Sequence, residues 1–136
     1  MLKKKIRKKI LKLRKKRFKD IYKIRIKNIY KIFKKNKINK NSLIGGYFPV
    51  NYEIDDINIL KELKSNNYKI SLPAIKKKHN MDFYIWSSSD PLYLNKYGIP
   101  EPEKKKLVYP DVLFIPLVAF DHKNFRLGYG GGYYDR

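Results

Sequence analysis

Residues 112–136 read VLFIPLVAF-DHKNF-RLGYGGGYYDR, an apolar run followed within a few residues by a cluster of glycines. The run is interrupted once, at Pro116, and its pieces Val112–Ile115 and Leu117–Phe120 read as the last strand of a sheet covered on both faces. Glycine tolerates positive φ and close backbone approach, so the N–H groups around Gly128, Gly130, Gly131 and Gly132 can converge on an anion. A helix opening at Gly132–Asp135 would add its free N–H groups and dipole. Arg126 offers a guanidinium suited to phosphate, and Asp135 a hard oxygen ligand suited to Mg²⁺ beside phosphates. The spacing matches neither G-x-x-x-x-G-K-[ST] nor G-x-G-x-x-G with its later acid. By itself, then, the cluster reads equally as a tight glycine-rich turn.

Working upstream, strands alternate with helical patterns. Ser42–Phe48 reads as a buried strand stopped by Pro49. Asp55 or Asp56 can cap a helix carrying Ile57, Leu60 and Leu63, which Ser65-Asn66-Asn67 ends. Tyr68–Leu72 is a second strand closed by Pro73, and Met81–Trp86 a third whose aromatics suit a half-buried pleat. Ser87 to Pro110 reads as one long connection holding four of the seven prolines. Residues 1–35 carry apolar positions at Ile6, Ile10, Leu13, Phe18, Tyr22, Ile26, Ile29 and Phe33, the stripe of an amphipathic helix with a kink expected near Phe18–Asp20. Lys34–Asn41 reads as a linker. The pattern predicts one α/β domain over 1–136: a basic helical arm (1–40) and a part forming a mainly parallel sheet (41–136).

With 136 residues, 43% of them apolar, the chain suffices for one compact domain with a real core. It contains no cysteine, which excludes disulfides, thiolate metal sites and a Cys nucleophile. The nine-residue apolar run is far shorter than a membrane span, and no secretory signal heads the sequence. A soluble, cytoplasmic protein is expected. The formal charge of +21 is concentrated: residues 1–40 hold 20 Lys/Arg against Asp20 alone, while 41–136 hold 13 bases and 11 acids. A nearly neutral domain with a basic arm is a weaker nucleic-acid signal than a basic domain. The chain is also rich in Lys, Ile, Asn and Tyr, whose codons are AT-rich, so coding bias is a sufficient source for the lysines. An RNA- or ribosome-associated protein using the arm stays open as the alternative, with Phe18, Tyr22, Tyr30 and Phe33 as stacking candidates. His79 and His122 are isolated and read as surface residues, Trp86 as core, and Asp121 as a turn residue.

Taken whole, Val118-Ala119-Phe120-Asp121 followed by the string from Arg126 to Arg136 resembles the signature of the 5-formyltetrahydrofolate cyclo-ligase family. The likeness continues in order along the chain. Tyr47-Phe48-Pro49 with Glu53-Ile54-Asp55 is similar to that family's Y-x-P … E-V-D-T block, and Lys69–Pro73 to its second strand. Gly98-Ile99-Pro100-Glu101-Pro102 resembles its G-I-x-E-P turn, and Lys3–Arg7 its basic helix start.

The resemblance implies conversion of 5-formyltetrahydrofolate to 5,10-methenyltetrahydrofolate with ATP and Mg²⁺. The formyl oxygen, a poor leaving group, is phosphorylated to an imidoyl phosphate, which N10 attacks; the chemistry asks for positioning and charge neutralisation rather than a protein nucleophile. Carried over by position, Lys3, Lys4, Lys5, Ile6 and Arg7 would contact ATP. Arg126, Leu127, Gly128, Tyr129, Gly130, Gly131, Gly132, Tyr133 and Tyr134 would wrap its phosphates. Asp135 would bind Mg²⁺, Glu53 the pterin edge of the folate, and Phe48 would line that pocket. Glu53 and the glycine loop should then face one cleft. Family members continue beyond the loop with a helix, further strands and a second acidic residue, so the sequence reads as C-terminally truncated, with weak or no activity expected. Oligomeric state stays open.

Overall fold

A computed structural model describes residues 1–18 and 23–136. The arm forms two helices, α1 (Leu2–Arg17) and α2 (Ile26–Lys35). Phe18 closes α1 in extended conformation, while the expected kink residue Asp20 and the stripe residue Tyr22 lie outside the described residues. The two helices use the apolar stripe differently. α2 buries Ile29 and Phe33, whereas α1 buries no residue and leaves Ile6 and Leu13 exposed. With lysine on most of its circumference, α1 has too little apolar surface to hold itself on a core.

Strand β1 (Leu43–Gly45), helix α3 (Ile57–Ser65) and strand β2 (Lys69–Ile75) form a parallel β-α-β unit, and β7 (Val112–Leu113) adds in parallel on the other side of β1. Strands β3 (Met81–Ile85) and β6 (Leu107–Val108) extend the sheet antiparallel, giving the order β6-β3-β2-β1-β7. This is the α/β layered class expected from the alternating pattern. Ile44, Leu60, Leu63, Ile70 and Leu72 are fully buried between the sheet and α2 and α3. Tyr68 joins them, its ring centroid 5.6 Å from that of Phe33.

Four expectations change. Pro73 does not close the second strand but sits inside β2, paired with Phe83. Residues two apart point their N–H groups to the same side, and the Ile75 N–H donates to Glu101 Oε2 (3.1 Å) rather than to β3. Pro73 therefore withholds a donor on a side where no strand needs one. The supposed long connection 87–110 contains β6 and a small ladder of β4 (Leu92–Leu94) with β5 (Pro100–Pro102). The apolar run 112–120 is not one strand: β7 ends before Pro116, and β8 (Ala119–Phe120) instead pairs with β9 (Arg126–Leu127) as a separate hairpin. Finally, Tyr133–Asp135 is a turn and not the start of a helix, so among the described residues no helix begins at the glycine loop.

Candidate functional site

A cleft of about 500 Å³ opens where the chain leaves β1 and β2 at their C-terminal ends. In open α/β sheets those ends are where ligands bind. The glycine loop reaches it by an indirect route, following β9 rather than β7. Tyr47, Phe48 and Glu53 enter from the segment after β1, and Pro73 and Ile75 from β2. Lys3 and Arg7 approach from α1, and residues 126–135 form the remaining wall. Glu53 and the loop therefore share one cleft although more than seventy positions separate them.

The start of α1 is sorted by helical geometry. Lys3 and Arg7, four apart, lie on one face and line the cleft; Lys4, Lys5 and Ile6 do not line it and are exposed. Arg7 Nε donates to the Gly128 carbonyl oxygen at 2.7 Å, tying α1 to the loop. Gly130 at φ +100° and Gly132 at φ +71° adopt conformations that side-chain-bearing residues resist. Among the described residues, the N–H groups of Gly130, Gly131 and Gly132 have no hydrogen-bond acceptor. Free N–H donors beside two cationic side chains suit an anion.

Glu53 is buried (8% exposed) and its Oε2 accepts the Val50 N–H at 2.8 Å. Burial raises its pKa, opposed by that N–H, by the Tyr129 hydroxyl and by the charge of Arg14. Burial likewise pushes the Tyr47, Tyr129 and Tyr134 phenols up, so all three stay neutral donors at physiological pH. Behind them Asp56 is fully buried, its Oδ2 accepting the Tyr47 N–H at 2.9 Å. A Cβ on Gly46 would come within 2.6 Å of that oxygen, so glycine is what lets the carboxyl reach the strand end.

Asp135 is exposed and paired with Arg126 at 2.5 Å, and Arg126 also lies over the Tyr134 ring. Among the described residues no group of three His, Asp or Glu side chains is placed to hold a metal ion. A single carboxylate beside a phosphate-binding loop still suits Mg²⁺, which takes one or two carboxylates and completes its shell with water and substrate phosphate. His79 and His122 are exposed, Trp86 is buried, and Asp121 Oδ1 accepts the Lys123 and Phe125 N–H groups within its own turn.

Sequence reasoning missed Tyr47, Asn95 and Tyr97, which also line the cleft, and Arg14, which supports it. The Tyr97 hydroxyl lies 3.3 Å from that of Tyr133, which also lines the cleft. The signal for Asn95 and Tyr97 was their place just before the Gly98–Pro102 turn. For Arg14 it was the seven-residue step from Arg7, two helical turns on the same face.

The model of the 5-formyltetrahydrofolate cyclo-ligase family matches residues 1–136. The chain is 39% identical over 97 residues to a 5-formyltetrahydrofolate cyclo-ligase of Haemophilus influenzae, an alignment covering 66% of this chain and 52% of that protein. It is 35% identical over 91 residues to the cyclo-ligase of Escherichia coli K12, covering 62% and 50%. The chain thus spans about half the length of the curated relatives it matches. Its fold superimposes on a 5,10-methenyltetrahydrofolate synthetase of Aquifex aeolicus with a TM-score of 0.77 at 30% identity, covering all of this chain and 71% of that one. A synthetase of Mycoplasma pneumoniae shares the fold at a TM-score of 0.64 and 23% identity.

Proposed function

The chain belongs to the 5-formyltetrahydrofolate cyclo-ligase family, and from that premise we propose that its cleft binds ATP and 5-formyltetrahydrofolate side by side for ATP-dependent ring closure. The observation that carries this reading is the convergence of Glu53 and the glycine loop on one cavity. Glu53 is a buried acceptor suited to the donor pair on a pterin edge, and Phe48 supplies an apolar wall beside it. The free N–H groups at Gly130–Gly132, with Lys3, Arg7 and Arg126, suit a triphosphate.

Held this way, the formyl oxygen meets the γ-phosphorus. The oxygen attacks, ADP leaves, and the resulting imidoyl phosphate has a good leaving group where the amide had none. N10 then attacks the former formyl carbon, phosphate departs and N10 loses its proton, leaving the 5,10-methenyl bridge. The protein's share is orientation, exclusion of water and neutralisation of phosphate charge. Mg²⁺ at Asp135 would supply further charge neutralisation, Asp135 then dividing its charge between the ion and Arg126. A reaction that draws on ATP and reduced folate belongs with their pools, in the cytoplasm.

The test is direct. Binding of ATP and of 5-formyltetrahydrofolate is measured by equilibrium dialysis, and turnover by the absorbance rise of methenyltetrahydrofolate with ATP and Mg²⁺. Binding of both ligands, lost for the folate in Glu53→Gln and for ATP in Arg126→Ala, is expected. A chain that binds neither ligand contradicts the reading.

A further inference from the structure

Glu53 stands between two cavities. It lines the cleft, and it also borders a second cavity of about 550 Å³ between α1 and the segment 52–59. Arg14 lines that second cavity and not the cleft, so it lies behind Glu53, away from any ligand in front. Both of its terminal nitrogens are engaged. Nη1 donates to the Tyr129 hydroxyl at 2.9 Å, and Nη2 to the Val118 carbonyl oxygen at 2.9 Å and to that of Leu117. A phenol that accepts from a permanent cation has its own proton left to give. Tyr129 and Glu53 line the same cleft, and the phenol opposes the rise that burial causes in the pKa of the Glu53 carboxyl, which also holds the Val50 N–H.

We infer that Arg14 is a positioning residue of this site: by fixing the Tyr129 hydroxyl it orients Glu53 and holds it in register with the glycine loop. The consequence for ligand binding rests on the proposed folate role of Glu53; the relation among the three side chains does not. Three elements far apart in sequence meet at one planar fork, whose fixed donor geometry a lysine cannot reproduce. The phenols of Tyr47, Tyr129 and Tyr134 and the Asp56 carboxyl face Glu53, and the two cavities it borders also carry Lys3, Arg7, Arg126, Arg17 and Lys23 and the carboxylates of Asp55 and Asp135. Arg14 is the cation whose charge opposes the burial of Glu53.

The experiment has two arms. In the first, the Glu53 carboxyl is titrated by ¹³C NMR in the free chain, with no ligand. Arg14→Gln and Tyr129→Phe should both move its midpoint to higher pH, and Arg14→Lys should move it least. In the second, affinity for 5-formyltetrahydrofolate is measured against pH. Arg14→Gln should bind about tenfold more weakly at neutral pH, the worth of one charge-assisted hydrogen bond, and should recover as pH rises and Glu53 ionises. A merely structural arginine would instead weaken binding equally at every pH. An unmoved midpoint in Arg14→Gln, or a shift there with none in Tyr129→Phe, overturns the relay. If Arg14→Gln does not fold, Tyr129→Phe alone decides, since it removes one hydroxyl and leaves the bonds to Leu117 and Val118 in place. Failure of the unaltered chain to bind the folate sinks the proposed function, while the NMR arm still decides the role of Arg14.

Discussion

Asp56 is fully buried, and its Oδ1 has no hydrogen-bond partner among the described residues. Burial pushes the carboxyl up to about 8 from its ordinary 3.8, against the lowering pull of the Tyr47 N–H. The folded state therefore holds this proton more tightly than the unfolded chain does. The contribution to stability is fully present below about pH 4 and is lost as pH rises toward about 8. Glu53, also raised by burial, acts in the same direction. Asp56→Asn keeps an acceptor for the Tyr47 N–H and removes the titration. Urea unfolding midpoints between pH 5 and pH 8 should fall in the unaltered chain and fall less in this variant; equal slopes would mean that Asp56 is not protonated in the folded state. The sequence offered Asp55 and Asp56 as equal caps. The structure separates them: the Asp55 carboxylate takes the Ile57 N–H at 2.9 Å, and Asp56 turns inward to the strand end. That choice depends on space at Gly46, ten positions away, which no local pattern encodes.

At the scale of elements, α1 and α3 are opposites. α3 buries Ile59, Leu60 and Leu63, while α1 buries nothing and is held through Arg7 and Arg14. A helix pinned by a few polar contacts opens more readily than one seated on a core. Hydrogen exchange should find α1 amides far less protected than those of α3 or β2. Arg7→Ala should loosen α1 further and weaken ATP binding about tenfold, as expected for one hydrogen bond from a charged donor. Lys9→Ala, removing an equal charge from the exposed part of the same helix, should leave ATP binding within about twofold, since an exposed charge at the surface is well screened. Similar losses in the two variants would reduce the role of Arg7 to bulk electrostatics. The helical periodicity of 1–35 was legible, but which of its apolar positions would be buried was not. Ile29 and Phe33 find Tyr68 and Leu63 in the core, while Ile6 and Leu13 are left in solvent.

For the whole molecule, two surface properties oppose each other. The net charge of +21 repels neighbouring copies. Leu94, Phe120 and Phe125 are each about 70% exposed, and β7 leaves one edge of the sheet unpaired among the described strands. At low salt repulsion should prevail. Screening at about 0.5 M salt shortens its reach to a few ångströms, so sedimentation velocity should show association that rises with ionic strength and protein concentration. Species that dissociate on adding salt would instead show that association is driven by opposite charges.

The sequence by itself determined the alternation of strand and helix, the apolar positions of α3, β2 and β3, and the family. Part of the cleft was legible too: the loop from Arg126 to Asp135 through its glycines and charges, which are properties of residues and short strings, and Glu53, Phe48 and Arg7 only through the family resemblance. Tertiary structure decided what depends on neighbours distant in sequence. It split the run 112–120 between two sheets, placed Pro73 within β2, and set Arg14 behind Glu53. The physical reason is common to all three: strand pairing, tolerance of a missing donor and the partner of a guanidinium are set by which groups meet in space, and only the folded chain brings those groups together.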